Sequence, residues 1–96
     1  MNNYQKFLKD VFLTAWKEQA SDIHLIPGSP PVLRINRRLI FLTKKERLQA
    51  DDCQALAFLL MTEQQKLNFL KKKEIDFSYD FQNKIRFRVN VFFQRS

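Results

Sequence analysis

Apolar residues follow two different periods along this chain, and the switches between them mark out its elements. Tyr4, Phe7, Leu8, Val11, Phe12, Ala15 and Trp16 recur three and four residues apart, with Lys6, Lys9, Asp10 and Lys17 on the opposite side. That stripe predicts an amphipathic helix running to about Gln19, with Asn2 or Asn3 as its N-cap. The period then drops to two. Ile23 and Leu25 alternate with Asp22 and His24, and 27–31 (Pro-Gly-Ser-Pro-Pro) breaks the chain. Val32 to Ile35 reads as a second strand and Leu39 to Leu42 as a third, with a tight turn at Asn36-Arg37.

Helical spacing returns at Asp51 to Met61, where Cys53, Leu56, Ala57 and Leu60 form the stripe and the two aspartates suit the positive helix start. Thr62 to Gln65 matches a T-x-x-Q capping box and opens a third helix, with Leu67 and Leu70 expected to face inward and Lys71-Lys72-Lys73 at its end. That lysine run reads as a solvated helix end rather than a docking site for an acidic surface. The last stretch alternates throughout. Ile75, Phe77 and Tyr79, then Ile85, Phe87, Val89, Val91 and Phe93, flank a polar turn at 82–84. The predicted order is α-β-β-β-α-α-β-β. This is a single α+β domain with a mostly antiparallel sheet packed against helices.

Composition removes most enzyme classes. The 96 residues contain one Gly, one His and one Cys. A phosphate-binding loop, a dinucleotide-binding loop and a nucleophile elbow each need two or more glycines at fixed spacing. A single His excludes an HExxH zinc site, and one Cys excludes a disulfide framework or a multi-Cys zinc site. Cys53 is therefore expected to be a small core residue, and His24 a structural or surface histidine. No apolar run approaches the ~20 residues of a membrane span, and the charged N-terminal stretch does not read as a secretory signal. The expected location is cytoplasmic.

Charge narrows the choice of partner. The net charge is +7, and the excess is clustered: Arg34, Arg37, Arg38, Lys44, Lys45 and Arg47 face only Glu46 between positions 34 and 47. On the final strand Arg86 and Arg88 stand two residues apart, on one side of the pleat. Arginines so placed can bind phosphate or carboxylate. They can equally pair with Asp76 or Asp80 on the neighbouring strand. The residues alone leave both readings open. A basic nucleic-acid-binding module is a further alternative, weakened because Phe87 and Phe93 fall on the core side and only Phe92 lies beside the arginines. A PAS-type ligand sensor is another, but ten Phe are enough to fill their own core.

The segment Ala20-Ser21-Asp22-Ile23-His24-Leu25 resembles a signature of the type II/IV secretion ATPase superfamily. Residues 28–35, 74–79 and 86–95 narrow the resemblance. In this order and spacing they are similar to the N-terminal domain of the PilT-type family, the pilus retraction ATPases of twitching motility. The resemblance covers essentially the whole chain from about Tyr4.

It implies a PAS-like domain followed, outside this chain, by a RecA-like domain carrying the Walker motifs. The assembly it implies is a cytoplasmic homohexameric motor, peripheral at the inner membrane through the pilus machinery. The cofactor it implies is ATP, with Mg in the intact ATPase, bound between the two domains. The second arginine of the family's RFRVN motif contacts ATP and matches Arg88; Arg86 and Arg95 match neighbouring basic positions. Specific nucleic-acid binding is not implied, and related secretion or DNA-transfer ATPases share the superfamily. Three turns depart from the family pattern: Gln19 and Arg37 stand where Gly is usual, and 82–84 replaces a Pro-Gly turn.

Overall fold

Residues 3–92 are described by a computed structural model. Asn3 starts the first helix, α1 (Tyr4–Lys17): its side-chain oxygen accepts a hydrogen bond from the Lys6 amide at 3.0 Å. This satisfies one of the donors every helix start leaves free. Phe7, Leu8, Val11, Phe12 and Ala15 are buried, as their spacing requires. Trp16, at the far end of the stripe, stays partly exposed, with the Lys84 ammonium 4.1 Å above its ring.

The elements that follow are β1 (Asp22–Leu25), β2 (Val32–Ile35), β3 (Arg38–Phe41), α2 (Ala50–Leu60), α3 (Glu63–Lys72), β4 (Glu74–Phe81) and β5 (Ile85–Phe92). This is the α+β order the sequence predicts. β3 and α2 each begin one residue earlier than expected, and Leu42 lies outside its strand. The five strands lie in the order β3-β2-β1-β5-β4. All neighbours are antiparallel except the central pair, β1 and β5, which run parallel with Ile23 opposite Val89 and Leu25 opposite Val91.

The helices cover one face of this sheet. Ile23, Leu25, Leu33, Phe87, Val89 and Val91 project into the core they share with Leu8, Val11, Phe12, Leu56 and Phe69. The Phe12 ring stacks on Phe87 at 5.7 Å and on Tyr79 at 5.2 Å. Cys53 is fully enclosed in this core, and burial pushes its thiol up to about 12. Such a thiol is inert, as expected for a small core residue.

The capping box of α3 forms as read. The Gln65 amide donates to Thr62 Oγ1 at 3.2 Å, and the Thr62 amide donates to Gln65 Oε1 at 2.9 Å. Its inward face differs from the one expected: Leu67 and Leu70 are exposed and Phe69 is fully buried. On this ten-residue helix, Leu67 lies nearly opposite Phe69 around the axis. Only one of them can reach the core, and the larger ring removes more apolar surface from water. Phe69 also meets the Phe58 ring edge-on at 6.3 Å.

All three departures from the family's glycine pattern coincide with left-handed backbone. Gln19 has φ 58°, Asn36 and Arg37 have φ 50° and 69°, and Gln82 and Asn83 have φ 50° and 55°. The turn shapes suited to glycine are thus present, built from residues that adopt them at some cost.

Candidate functional site

The face of the sheet away from the helices carries the chain's most ordered array of charge. Strand alternation fixes which residues share it, and register fixes who meets whom. Asp22 on β1 lies between Arg34 on β2 and Arg88 on β5. Arg88 lies opposite Ser78 on β4, Arg86 opposite Asp80, and Asn90 between His24 and Asp76.

The two predicted arginines are brought together here, and both hold carboxylates of the adjacent strand. Arg88 Nε donates to both oxygens of Asp76 at 3.0 and 3.1 Å, and its Nη2 donates to Oδ2 at 2.6 Å. Arg86 Nε and Nη2 donate to the two oxygens of Asp80 at 2.8 and 3.3 Å. The Arg88 pair runs diagonally across the strands and the Arg86 pair straight across. Both are exposed, with about two-thirds of each arginine side chain accessible. Hydrogen bonding to Arg88 holds the Asp76 carboxyl below the usual range, and Arg86 does the same for Asp80. Arg34 makes a looser contact with Asp22, 3.7 Å away. Arg95 lies outside the described residues.

The sequence alone left carboxylate pairing and anion binding open. In the structure the pairing forms, on solvent-exposed groups where such pairs contribute little to stability. Each guanidinium offers five N–H donors, and Asp76 engages only Nε and Nη2 of Arg88. Nη1 of Arg88 makes no hydrogen bond among the described residues, though the Asp22 carboxylate also acts on the guanidinium, and an exposed pair of this kind can open at small cost.

Two features of this face escaped the sequence reading. One is the Arg34–Asp22 contact, which joins the basic 34–47 segment to the arginine row. The other is His24, whose Nε2 is buried without a hydrogen-bond partner. It lies beside Val32 through the antiparallel β1–β2 pairing and beside Asn90 through the parallel β1–β5 pairing. Strands that far apart in sequence give no local signal. Among the described residues no group of three or more His, Cys, Asp or Glu is arranged to hold a metal ion. No helix among them is long and apolar enough to cross a membrane.

The fold is that of a small α+β domain found in pilus ATPases. A solved structure of the pilus retraction motor PilT with bound ADP superposes with a TM-score of 0.72 at 36% identity, covering 90% of this chain and 25% of that one. The type IV pilus retraction ATPase PilT of Pseudomonas aeruginosa is 39% identical over 80 residues, 81% of this chain and 22% of its own length. The type IV pilus ATPase PilU of the same organism is 32% identical over 76 residues, 79% of this chain and 20% of its own. No family model matches. The chain belongs to the PilT-type pilus ATPases and corresponds to their N-terminal domain. It spans about a fifth of the length of the curated relatives it matches.

Proposed function

We propose that this domain serves a hexameric, ATP-driven motor of the type IV pilus, powering pilus retraction and twitching motility. In this reading the PAS-like domain lies over ATP, with Mg, held by a RecA-like domain. Its arginine face supplies Arg88, with Arg86 and Arg95 nearby, to the phosphates. Its neighbours are its own RecA-like domain and adjacent subunits, and it works in the cytoplasm against the pilus machinery at the inner membrane. Hydrolysis would reach neighbouring subunits through movement of this domain.

The observation that carries the reading is the similarity to PilT along most of the chain, in sequence and in fold. The second relative, PilU, is also a type IV pilus ATPase, which favours a pilus motor over a DNA-transfer one. Arg88 acts here by exchanging or sharing its Asp76 contact with a phosphate oxygen. Charge-assisted, two-point geometry suits either partner.

The test is Arg88→Ala in the intact ATPase. Turnover falls by about 10³-fold if the guanidinium stabilises the transition state, and by less if it only binds the ground state. Nucleotide affinity and turnover both unchanged would overturn the role of Arg88. The 96-residue chain alone is expected to hydrolyse no ATP, because it contains no phosphate-binding loop.

A further inference from the structure

The basic 34–47 segment has no part in the reading above. It surrounds β3, one of the two edges of the sheet. All four residues of β3 are exposed, including Leu39, Ile40 and Phe41. Those three point alternately to both sides of the sheet. Edge strands are normally blunted by charge, proline or a covering element, because their free backbone groups invite pairing. Here three consecutive large apolar residues stand uncovered.

Register shows which backbone groups are free. The two-residue turn at Asn36-Arg37 makes Ile35 and Arg38 its closing pair, with Leu39 opposite Arg34. In such a hairpin the amide and carbonyl of Leu39 point away from β2, as does the amide of Phe41. The Phe41 carbonyl is already taken by the Thr43 amide at 2.9 Å. Arg37 and Arg38 precede this stretch and Lys44 follows it, all exposed. Among the described residues none of the three is in an ion pair, whereas Lys45 is held by Asp10 and Arg34 by Asp22.

We propose that the β3 edge accepts an extended, acidic segment of another protein as a sixth strand. Backbone pairing at Leu39 and Phe41 supplies the binding, and the exposed Leu39 and Phe41 side chains meet alternate apolar side chains of the added strand. Arg37, Arg38 and Lys44 select carboxylates at the two ends. The charge pattern separates this occupant from its rivals. A second copy's β3 would bring like charges together. A second copy's β4 carries Asp76 and Asp80, but Arg88 and Arg86 of the same copy accompany them, so that edge presents little net negative charge. A membrane needs one apolar face, whereas Leu39 and Phe41 point opposite to Ile40.

The experiment is an NMR titration of the 96-residue chain with a synthetic eight-residue peptide alternating Glu with Val and Phe. The Leu39 and Phe41 amides shift and gain exchange protection. Affinity falls about tenfold or more in the Arg37→Glu, Arg38→Glu double variant and falls again when salt rises from about 50 to about 300 mM. The same peptide with alternate amides N-methylated, which leaves its charge intact, does not bind. Leu39→Pro, tolerated on an edge, also abolishes binding; should that variant misfold, the N-methylated peptide gives the same answer without touching the protein. Equal binding of the methylated peptide would overturn strand addition. Binding to anionic phosphatidylserine vesicles without peptide binding would assign the edge to a membrane and overturn the proposal. So would self-association that Arg37→Glu, Arg38→Glu abolishes while the peptide stays unbound.

Discussion

The two faces of β5 are built from alternate residues of one eight-residue strand and follow opposite rules. Phe87, Val89 and Val91 are fully buried beneath the helices, while Arg86 and Arg88 stand exposed. On the covered face each side chain is held by many neighbours, so its role is set within this chain. On the other, each arginine is held by one carboxylate in water, a contact cheap to exchange. The comparison teaches where to look for stability and where for recognition. The fold rests on the first face; a ligand or neighbouring domain would meet the second.

The comparison is broken most directly by emptying the covered face. Phe87→Ala removes a ring that stacks on Phe12 and also contacts Phe81. Such truncations cost about 3–5 kcal/mol, a large share of the 5–15 kcal/mol expected for a whole domain. Denaturant unfolding should show the midpoint fall sharply or the transition vanish. Leu67→Ser, on the exposed side of α3, should change stability by no more than about 0.5 kcal/mol. A large loss from Leu67→Ser would mean that α3 packs by the Leu67–Leu70 stripe after all.

The turns sharpen it next. Gln19 and Arg37 hold left-handed backbone without being glycine or asparagine. Gln19→Gly and Arg37→Gly should each stabilise the domain by about 0.5–1 kcal/mol, by relieving the Cβ clash. They lie in separate turns, so the gains should add. Asn83→Gly should gain less, since Asn tolerates that region. A loss of stability in all three would show that these turns take another shape.

How much was legible in the sequence follows the same division. The covered face was read almost residue by residue, because alternation and helical spacing record burial directly. The error there, Leu67 and Leu70 for Phe69, came where a short helix offered too few apolar positions to define a stripe. The positive-φ turns were legible only as missing glycines, since a Gln or Arg carries no local sign of that backbone. On the open face the arginines and their two candidate carboxylates were legible, but not which arginine holds which. Choosing Asp76 for Arg88 needs the diagonal geometry of β4 against β5, and the placing of His24 and Asp22 needs the parallel pairing of β1 with β5. Neither is written in any short stretch of sequence.

The smallest effect tests the open face itself. Arg88 lowers the Asp76 carboxyl from its ordinary value of 3.8, chiefly by hydrogen bonding, and Arg86 does the same for Asp80. A depressed carboxyl contributes stability that is present above its unfolded value and is lost as pH falls through the folded one. Both pairs are open to solvent, so acidification through this window should weaken the domain only slightly. The informative measurement is the titration of each carboxyl carbon by NMR. In Arg88→Ala the Asp76 midpoint should rise toward the ordinary aspartate range while Asp80 stays low, because Arg86 remains. The melting temperature should move by no more than about 2 °C. A larger drop would make the Arg88–Asp76 pair a structural clasp and would weigh against its opening for a phosphate. An unchanged Asp76 midpoint would show the pair to be absent in solution, leaving Arg88 already free on the face where an anion would bind.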